Sequence, residues 1–187
     1  IEQFRLWYVF RRDFVGRVRE MEGFVRENLT RVAEIAKEIG IQAIVQIHGR
    51  MYPLSASTAY ACVKGMDPRY IGIKMDPGNN FSVEGYEEFD YQVELLGDYI
   101  AALGAKNAAL FKEDAAEDGT VTWKRDFVPA NEGCANYPLI FSELKKANFN
   151  GPVILMPFYH EEDYEAMEKD FIKEIAYFKD VEKQAGY

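Results

Sequence analysis

The feature that most constrains the fold is a repeated alternation of short apolar runs with longer segments of helical periodicity. The strand-like run 4–10 comes first, and Gly40 later stands where a glycine commonly ends a helix. The next run, 41–48, is almost continuously apolar, as in a strand buried on both faces. Between the two runs, apolar residues recur at helical spacing, at Val25, Leu29, Val32, Ala36 and Ile39. Buried strands that alternate with amphipathic helices predict a parallel sheet with helical crossovers.

The alternation continues to the end of the chain. One helix keeps its apolar spacing through Leu103 and is closed by Gly104, and another begins at Asn136 with Pro138 in its first turn. No linker interrupts the pattern, so residues 1–187 are predicted to form a single α/β domain. The remaining predictions are strands at 70–75, 108–112 and 152–158 and helices at 55–64, 89–103, 137–147 and 162–183.

Two architectures fit these five strand–helix units. A closed (β/α)8 barrel needs eight strands, so this chain would supply a portion of one. The alternative is a doubly wound open sheet. Its usual phosphate-binding signature, G-x-G-x-x-G after the first strand, is absent, although many open sheets lack it.

Composition excludes several classes of partner. The net charge of −9 argues against nucleic acid or an anionic membrane as a partner, because both need basic patches. No apolar run approaches the roughly 18 residues of a membrane span. Cys62 and Cys134 are too few for a disulfide framework. The compartment stays open, with the cytoplasm favoured, and a homo-oligomer is compatible with the sequence.

Five segments, in the same order along the chain, resemble the xylose-isomerase-like sugar phosphate isomerases and epimerases. Residues 34–49 are similar to the fourth helix and fifth strand of that family, which commonly ends Glu-Asn-His. Residues 68–79 resemble the sixth strand, which typically ends Asp-Thr-Gly-His. Residues 110–113 read Leu-Phe-Lys-Glu where the seventh strand has His-Leu-Lys-Asp. Residues 131–133 resemble a Gly-Glu-Gly segment, and 151–158 an eighth strand with Glu before Pro-Phe. The resemblance implies a (β/α)8 TIM barrel of which this chain supplies about strands 4–8, with an N-terminal part expected upstream.

The resemblance also implies a divalent metal held by Glu, Asp, His and Glu at the ends of strands five to eight. Manganese or magnesium suits such a ligand set, and would polarise a sugar carbonyl while carboxylates move a proton. The matching residues here are Gln46, Asp76, Leu110 and Met156. Only Asp76 keeps its ligand type, because leucine has no donor and the methionine thioether is too soft for these ions. We therefore expect no cofactor; a metal, if present, would be Mn or Mg near Asp76.

Strand parity predicts what surrounds the substituted positions. Residues two apart on a strand share a face, so His48, Lys74 and Lys112 would point into the barrel together with Gln46 and Asp76. These residues lie at the C-terminal ends of their strands, where barrel enzymes place their active sites. Asp76, His48, Lys112 and Lys74 are the candidate catalytic residues. The candidate substrate-binding residues are Gln46, Arg50, Asn79 and Glu132, and His160 lies on a nearby loop.

Each candidate also has a structural interpretation. The lysines and Asp76 could form a salt-bridged cluster that replaces the metal, since buried lysines are usually paired. Alternatively, Lys74 or Lys112 could bind an anionic group, polarise a carbonyl or form a Schiff base. His48 could be a hydrogen-bonded core residue or contact ligand, and Glu132 could be a solvated loop carboxylate.

The implied function is that of a sugar phosphate isomerase or epimerase. The protein would act on the carbonyl of a sugar or polyol by proton transfer, with a small-molecule carbohydrate as its partner and the metal site largely lost. The alternative is a non-catalytic relative that binds a sugar or serves as a partner subunit. A lyase or dehydratase that uses one of the lysines is a third possibility.

Overall fold

The computed structural model describes residues 2–7, 9–49, 51–80, 87–159 and 163–187. Its strands are Gln3–Arg5 (β1), Val9–Phe10 (β2), Gln42–Gln46 (β3), Met51–Tyr52 (β4), Ile71–Met75 (β5), Ile100–Ala105 (β6), Asn107–Lys112 (β7), Trp123–Val128 (β8) and Val153–Leu155 (β9). Its α-helices are Val18–Ile39 (α1), Ala56–Val63 (α2), Pro77–Asn80 (α3), Phe89–Leu96 (α4), Tyr137–Lys146 (α5) and Tyr164–Ala185 (α6). Two short 3-10 turns cover Arg11–Phe14 and Gly97–Tyr99.

Five parallel strands form the main sheet, in the order β1-β3-β5-β6-β9. The spatial order follows the chain order and has no reversal, which distinguishes the sheet from a doubly wound one. The predicted α/β fold with a parallel sheet is confirmed, and its five strands form half of a barrel. Two antiparallel pairs, β2 with β4 and β7 with β8, lie outside this sheet.

Local signals in the sequence explain several helix ends. Gly40 ends α1 in the left-handed conformation, with φ of 71°, and its N–H donates to the Ala36 carbonyl. The Asn136 side chain accepts from the Leu139 N–H at the start of α5, and the Asp163 side chain caps α6 in the same way. Within the described residues, no helix has the length and apolar character needed to cross a membrane.

The two faces of the sheet differ in chemistry. Alternate residues such as Val45, Ile73 and Leu103 pack against the helices in the main hydrophobic core. The opposite face holds a small apolar cluster of Ile44, Ala101 and Ala102. Toward the C-terminal ends of the strands this opposite face becomes polar, and the charged residues described below lie there.

The predicted secondary structure is wrong in two places. The run 4–10, expected to be one strand, is divided between β1 and β2, which belong to different sheets. The helix expected to continue through Leu103 ends at Leu96, where Gly97 follows with φ of 49°, and residues 100–105 form the barrel strand β6. Residues 108–112 do form a strand, but it pairs with β8 in a hairpin and not with the barrel sheet. Ile100 and Leu103 continue the helical spacing of the preceding segment, and this coincidence concealed the strand.

Candidate functional site

The Asp76 carboxylate is the centre of a polar cluster at the C-terminal ends of β3, β5 and β6. Its side chain is fully buried. Its Oδ2 accepts from Gln46 Nε2 at 2.5 Å and Asn79 Nδ2 at 2.9 Å, and its Oδ1 accepts from the Asn79 backbone N–H at 3.0 Å. Lys106 Nζ lies 3.4 Å from Oδ2. Burial raises the pKa of Asp76, and the Lys106 ammonium opposes that rise. Asp76 is therefore surrounded by donors on both oxygens.

Lys106 is the functional candidate that the sequence analysis missed. It directly follows β6, is 4% exposed, and has Nζ 4.8 Å from the ring centre of Phe127 and 5.3 Å from that of Phe158. Its carbonyl accepts from the buried Tyr137 hydroxyl at 2.6 Å. Burial lowers the pKa of Lys106, while Asp76 opposes this effect. The ammonium is thus held between one carboxylate and two aromatic rings.

Lys74 lies on β5, which pairs with β6, the strand that ends just before Lys106. The environments of the two lysines differ. It is 4% exposed, and Nζ donates to the Met156 thioether at 3.4 Å. Burial lowers the pKa of Lys74, and Asp76 partly opposes this. Gly104 makes room for the side chain, because a Cβ there would lie 2.9 Å from Lys74 Cε and 2.6 Å from Met156 Cε.

His48 lies at the rim of the cluster and is half-buried. Its Nδ1 lies 2.7 Å from the Gly49 carbonyl oxygen. Burial is the largest cause that lowers the pKa of His48, and the charges of Lys106 and Arg125 lower it further. The lowered pKa favours the neutral imidazole, the form that can accept a proton.

The Asn107 side chain helps to hold the loop after the β7–β8 hairpin beside the barrel. Asn107 is buried directly after Lys106, and its amide donates to the carbonyls of Ala130 and Ala135 at 2.7 and 2.9 Å. Its Oδ1 accepts from the N–H groups of Ala108 and Ala135. All of the bonding groups of this amide are thus used to hold the loop beside Lys106.

Most of the predicted site residues meet, and two do not. Asp76, Lys74, Gln46 and Asn79 lie in the cluster and His48 lies at its rim, as parity predicts. Lys112 is exposed at the far end of β7, opposite Trp123, so its predicted place in the barrel is wrong. Glu132 is exposed on the loop before α5. Arg50 and His160 lie outside the described residues.

The error at Lys112 came from placing the seventh-strand pattern in the hairpin. With β6 as the barrel strand, Gly104-Ala105-Lys106-Asn107 occupies the strand end where a pattern like His-Leu-Lys-Asp was expected. The Lys-Asn pair after a short apolar run was the signal that could have found it. The ligand positions that the resemblance implies are then Gln46, Asp76, Gly104 and Met156.

These residues do not fit the family's divalent metal. Glycine supplies no donor, the thioether is soft, and the single carboxylate is already bonded to Lys106 and three N–H groups. The ammonium groups of Lys74 and Lys106 would also repel a cation. Among the described residues, no group of three or more His, Cys, Asp or Glu side chains could hold a metal ion.

Comparison with known proteins identifies the family. Residues 8–181 match the family described as "Xylose isomerase-like TIM barrel", and the chain belongs to that family. No curated protein matches the chain in sequence. A xylose isomerase-like TIM barrel protein from Mycobacterium smegmatis, solved in complex with magnesium, is similar with a TM-score of 0.66 and 18% identity over 86% of this chain and 51% of its own.

Two further solved structures share the fold. A probable 3-DHS dehydratase, AsbF, from Bacillus anthracis has a TM-score of 0.66 at 16% identity, over 95% of this chain and 63% of its own. A D-psicose 3-epimerase with D-tagatose, from Clostridium cellulolyticum H10, has a TM-score of 0.63 at 12% identity, over 97% and 65%. At such identities the likeness establishes the fold alone, and the chain spans about half to two thirds of these proteins.

Proposed function

We propose that the protein acts on the carbonyl group of a sugar or polyol by proton transfer, with the Lys106 ammonium group in place of the family's divalent metal. The observation that carries the proposal is the Lys106–Asp76 pair at 3.4 Å, at strand ends where the family holds a metal. An ammonium group can stabilise negative charge that develops on a carbonyl oxygen, as a metal does. The relationship to sugar epimerases supports the class of ligand.

His48 is the proposed base. A general base needs a neutral acceptor at working pH, and burial favours that form of His48. Asp76 is a poor alternative, because its oxygens already accept from Gln46, Asn79 and Lys106. We therefore assign Asp76 the positioning of Lys106, and His48 the transfer of the proton between neighbouring carbons.

Proton exchange with solvent tests this proposal directly. The protein, treated with EDTA, is incubated in D2O with dihydroxyacetone, D-glyceraldehyde, D-fructose or D-tagatose, and proton NMR follows deuterium at the carbon next to the carbonyl. We expect exchange with at least one sugar, no gain from added manganese, and a loss of about 10²–10⁴-fold in His48→Gln, the usual contribution of a general base.

Lys112→Met serves as the control, because Lys112 is exposed on the hairpin and should leave the exchange unchanged. Full exchange by His48→Gln would remove His48 from the mechanism. Exchange that disappears with EDTA and returns with manganese would refute the replacement of the metal.

Non-catalytic sugar binding is the second candidate. The saturation of Asp76 favours it, because a carboxylate with donors on both oxygens is a structural group as much as a reactive one. Binding of a sugar, seen as a saturable shift in the protein's NMR spectrum, without any deuterium exchange would favour this candidate over the enzyme.

A further inference from the structure

Lys74 and Lys106 are both buried amines at strand ends, but within the described part of the chain only Lys106 forms an ion pair. Lys106 Nζ lies 3.4 Å from the Asp76 carboxylate and over two aromatic rings. Among the described residues, no carboxylate oxygen lies within 4.0 Å of Lys74 Nζ, the limit for an ion pair. Lys74 Nζ instead donates a hydrogen bond to a thioether. A thioether is a weak acceptor, so this hydrogen bond holds the amine only weakly in its place.

The surroundings of Lys74 are adapted to its side chain. Gly104 leaves the space that Lys74 Cε and Met156 Cε fill, and a Cβ at residue 104 would overlap both. The end of Met156 contacts Nζ, and Met156 is partly exposed after the edge strand β9. Methionine is flexible and adapts its packing easily, so Met156 can move away from the amine when a ligand binds.

We propose that Lys74 is a nucleophile that forms an imine with the carbonyl carbon of the bound ligand. A C–N bond forms between Nζ and that carbon, and the C–O bond breaks. The oxygen leaves as water with the two protons that the neutral amine gives up, so no oxidant or further reactant is needed. The inference rests on the proposed function, because it names the covalent form in which the same strand ends would hold a sugar carbonyl.

The two lysines then have separate roles. The imine nitrogen of Lys74 withdraws electrons from the neighbouring carbon when it is protonated, and so makes the C–H bond there more acidic. Lys106, fixed by Asp76 and the rings of Phe127 and Phe158, stays an ammonium group beside it. The imine would supply the carbonyl activation that the family obtains from its metal.

Reductive trapping tests the inference on the protein in solution. The protein is incubated at pH 7 with increasing dihydroxyacetone and sodium cyanoborohydride, which reduces an imine to a stable secondary amine. Proteolysis and mass spectrometry then locate the label on each lysine. We expect labelling of Lys74 that saturates with dihydroxyacetone concentration, as site binding requires, while exposed Lys112 is labelled in proportion to concentration.

Lys74→Arg is the matched variant, since it keeps a cation but cannot form an imine, and the saturable label should be lost completely. The location of the label on the wild-type protein does not depend on how that variant folds. A Lys74 that stays unlabelled, or is labelled only in proportion to concentration as Lys112 is, overturns the inference.

Deuterium exchange with the same sugar separates the two proposals. Exchange without a Lys74 label overturns the imine and leaves the proposed function standing. A saturable Lys74 label without exchange supports the imine and refutes proton transfer, and the absence of both refutes both.

Discussion

Substitution of Lys106 by methionine should destabilise the fold strongly, because it leaves the Asp76 carboxylate buried without its cation. The pair is 4% and 0% exposed, so solvent cannot replace the lost partner. Removal of one member of a buried ion pair typically costs about 3–5 kcal/mol. The bonds from Gln46 and Asn79 remain and still stabilise the charge, which places our expectation at the lower end, about 3 kcal/mol.

The destabilisation should depend on pH in a definite direction. Burial already raises the pKa of Asp76, and loss of the Lys106 ammonium raises it further. A carboxyl whose pKa is raised by folding favours the folded state below its unfolded pKa, and this contribution is lost as pH rises through the folded pKa. The difference in unfolding free energy between the wild type and Lys106→Met should therefore be larger at pH 7 than at pH 5.

Urea unfolding followed by circular dichroism, at both pH values, measures this difference. Lys112→Met is the matched control and should change the free energy of unfolding by no more than about 0.5 kcal/mol, as exposed substitutions do. The double variant Asp76→Asn with Lys106→Met should be more stable at pH 7 than Lys106→Met alone. The reasoning is refuted if Lys106→Met costs less than about 1 kcal/mol at pH 7, well below the usual cost of an orphaned buried charge.

Two further predictions follow from glycine packing and from a second buried carboxylate. Gly133→Ala should lower the thermal melting temperature more than Gly104→Ala. The new methyl at residue 133 would overlap the Asn107 amide and lie 2.7 Å from a backbone oxygen, whereas at Gly104 the nearest atoms belong to flexible side chains. Equal melting temperatures of the two variants would contradict this. Glu174 is buried and accepts from the Tyr159 hydroxyl at 2.8 Å, and burial raises its pKa, so its contribution to stability is lost as pH rises. The unfolding free energy of Glu174→Gln should therefore fall less between pH 5 and pH 7 (about the range above an ordinary Glu pKa) than that of the wild type. Urea unfolding at both pH values measures this, and the same fall in both proteins would count against the prediction.

Elements with strong local signals were predictable from the sequence. The apolar run that contains β3 is bounded by Gly40, and the start of α5 is marked by a capping asparagine followed by proline. Such signals act within a few residues of chain, so no tertiary contact is needed to interpret them. β6 was not predictable in this way, because residues 100–105 carry a spacing that suits the preceding helix and small residues that suit a crowded barrel interior.

Prediction of the site followed the same division. Parity along β3 and β5 correctly brought Gln46, Lys74 and Asp76 to one face, since alternation is a property of any extended chain. The lysine on the neighbouring strand was assigned incorrectly, because its position depends on which segment pairs with β5. That pairing is a contact between distant parts of the chain, and the hairpin β7–β8 offered a competing strand.

The sequence by itself determined an α/β domain with a parallel sheet, and its family resemblance implied a barrel in which most of the metal ligands are replaced. Those conclusions depend on residue type and order, which the sequence contains in full. The tertiary structure alone decided that Lys106 and not Lys112 pairs with Asp76, and that Lys74 is left against the Met156 thioether. The partner of a long side chain depends on strand register and on the space left by residues such as Gly104, and both are set by packing across the whole sheet.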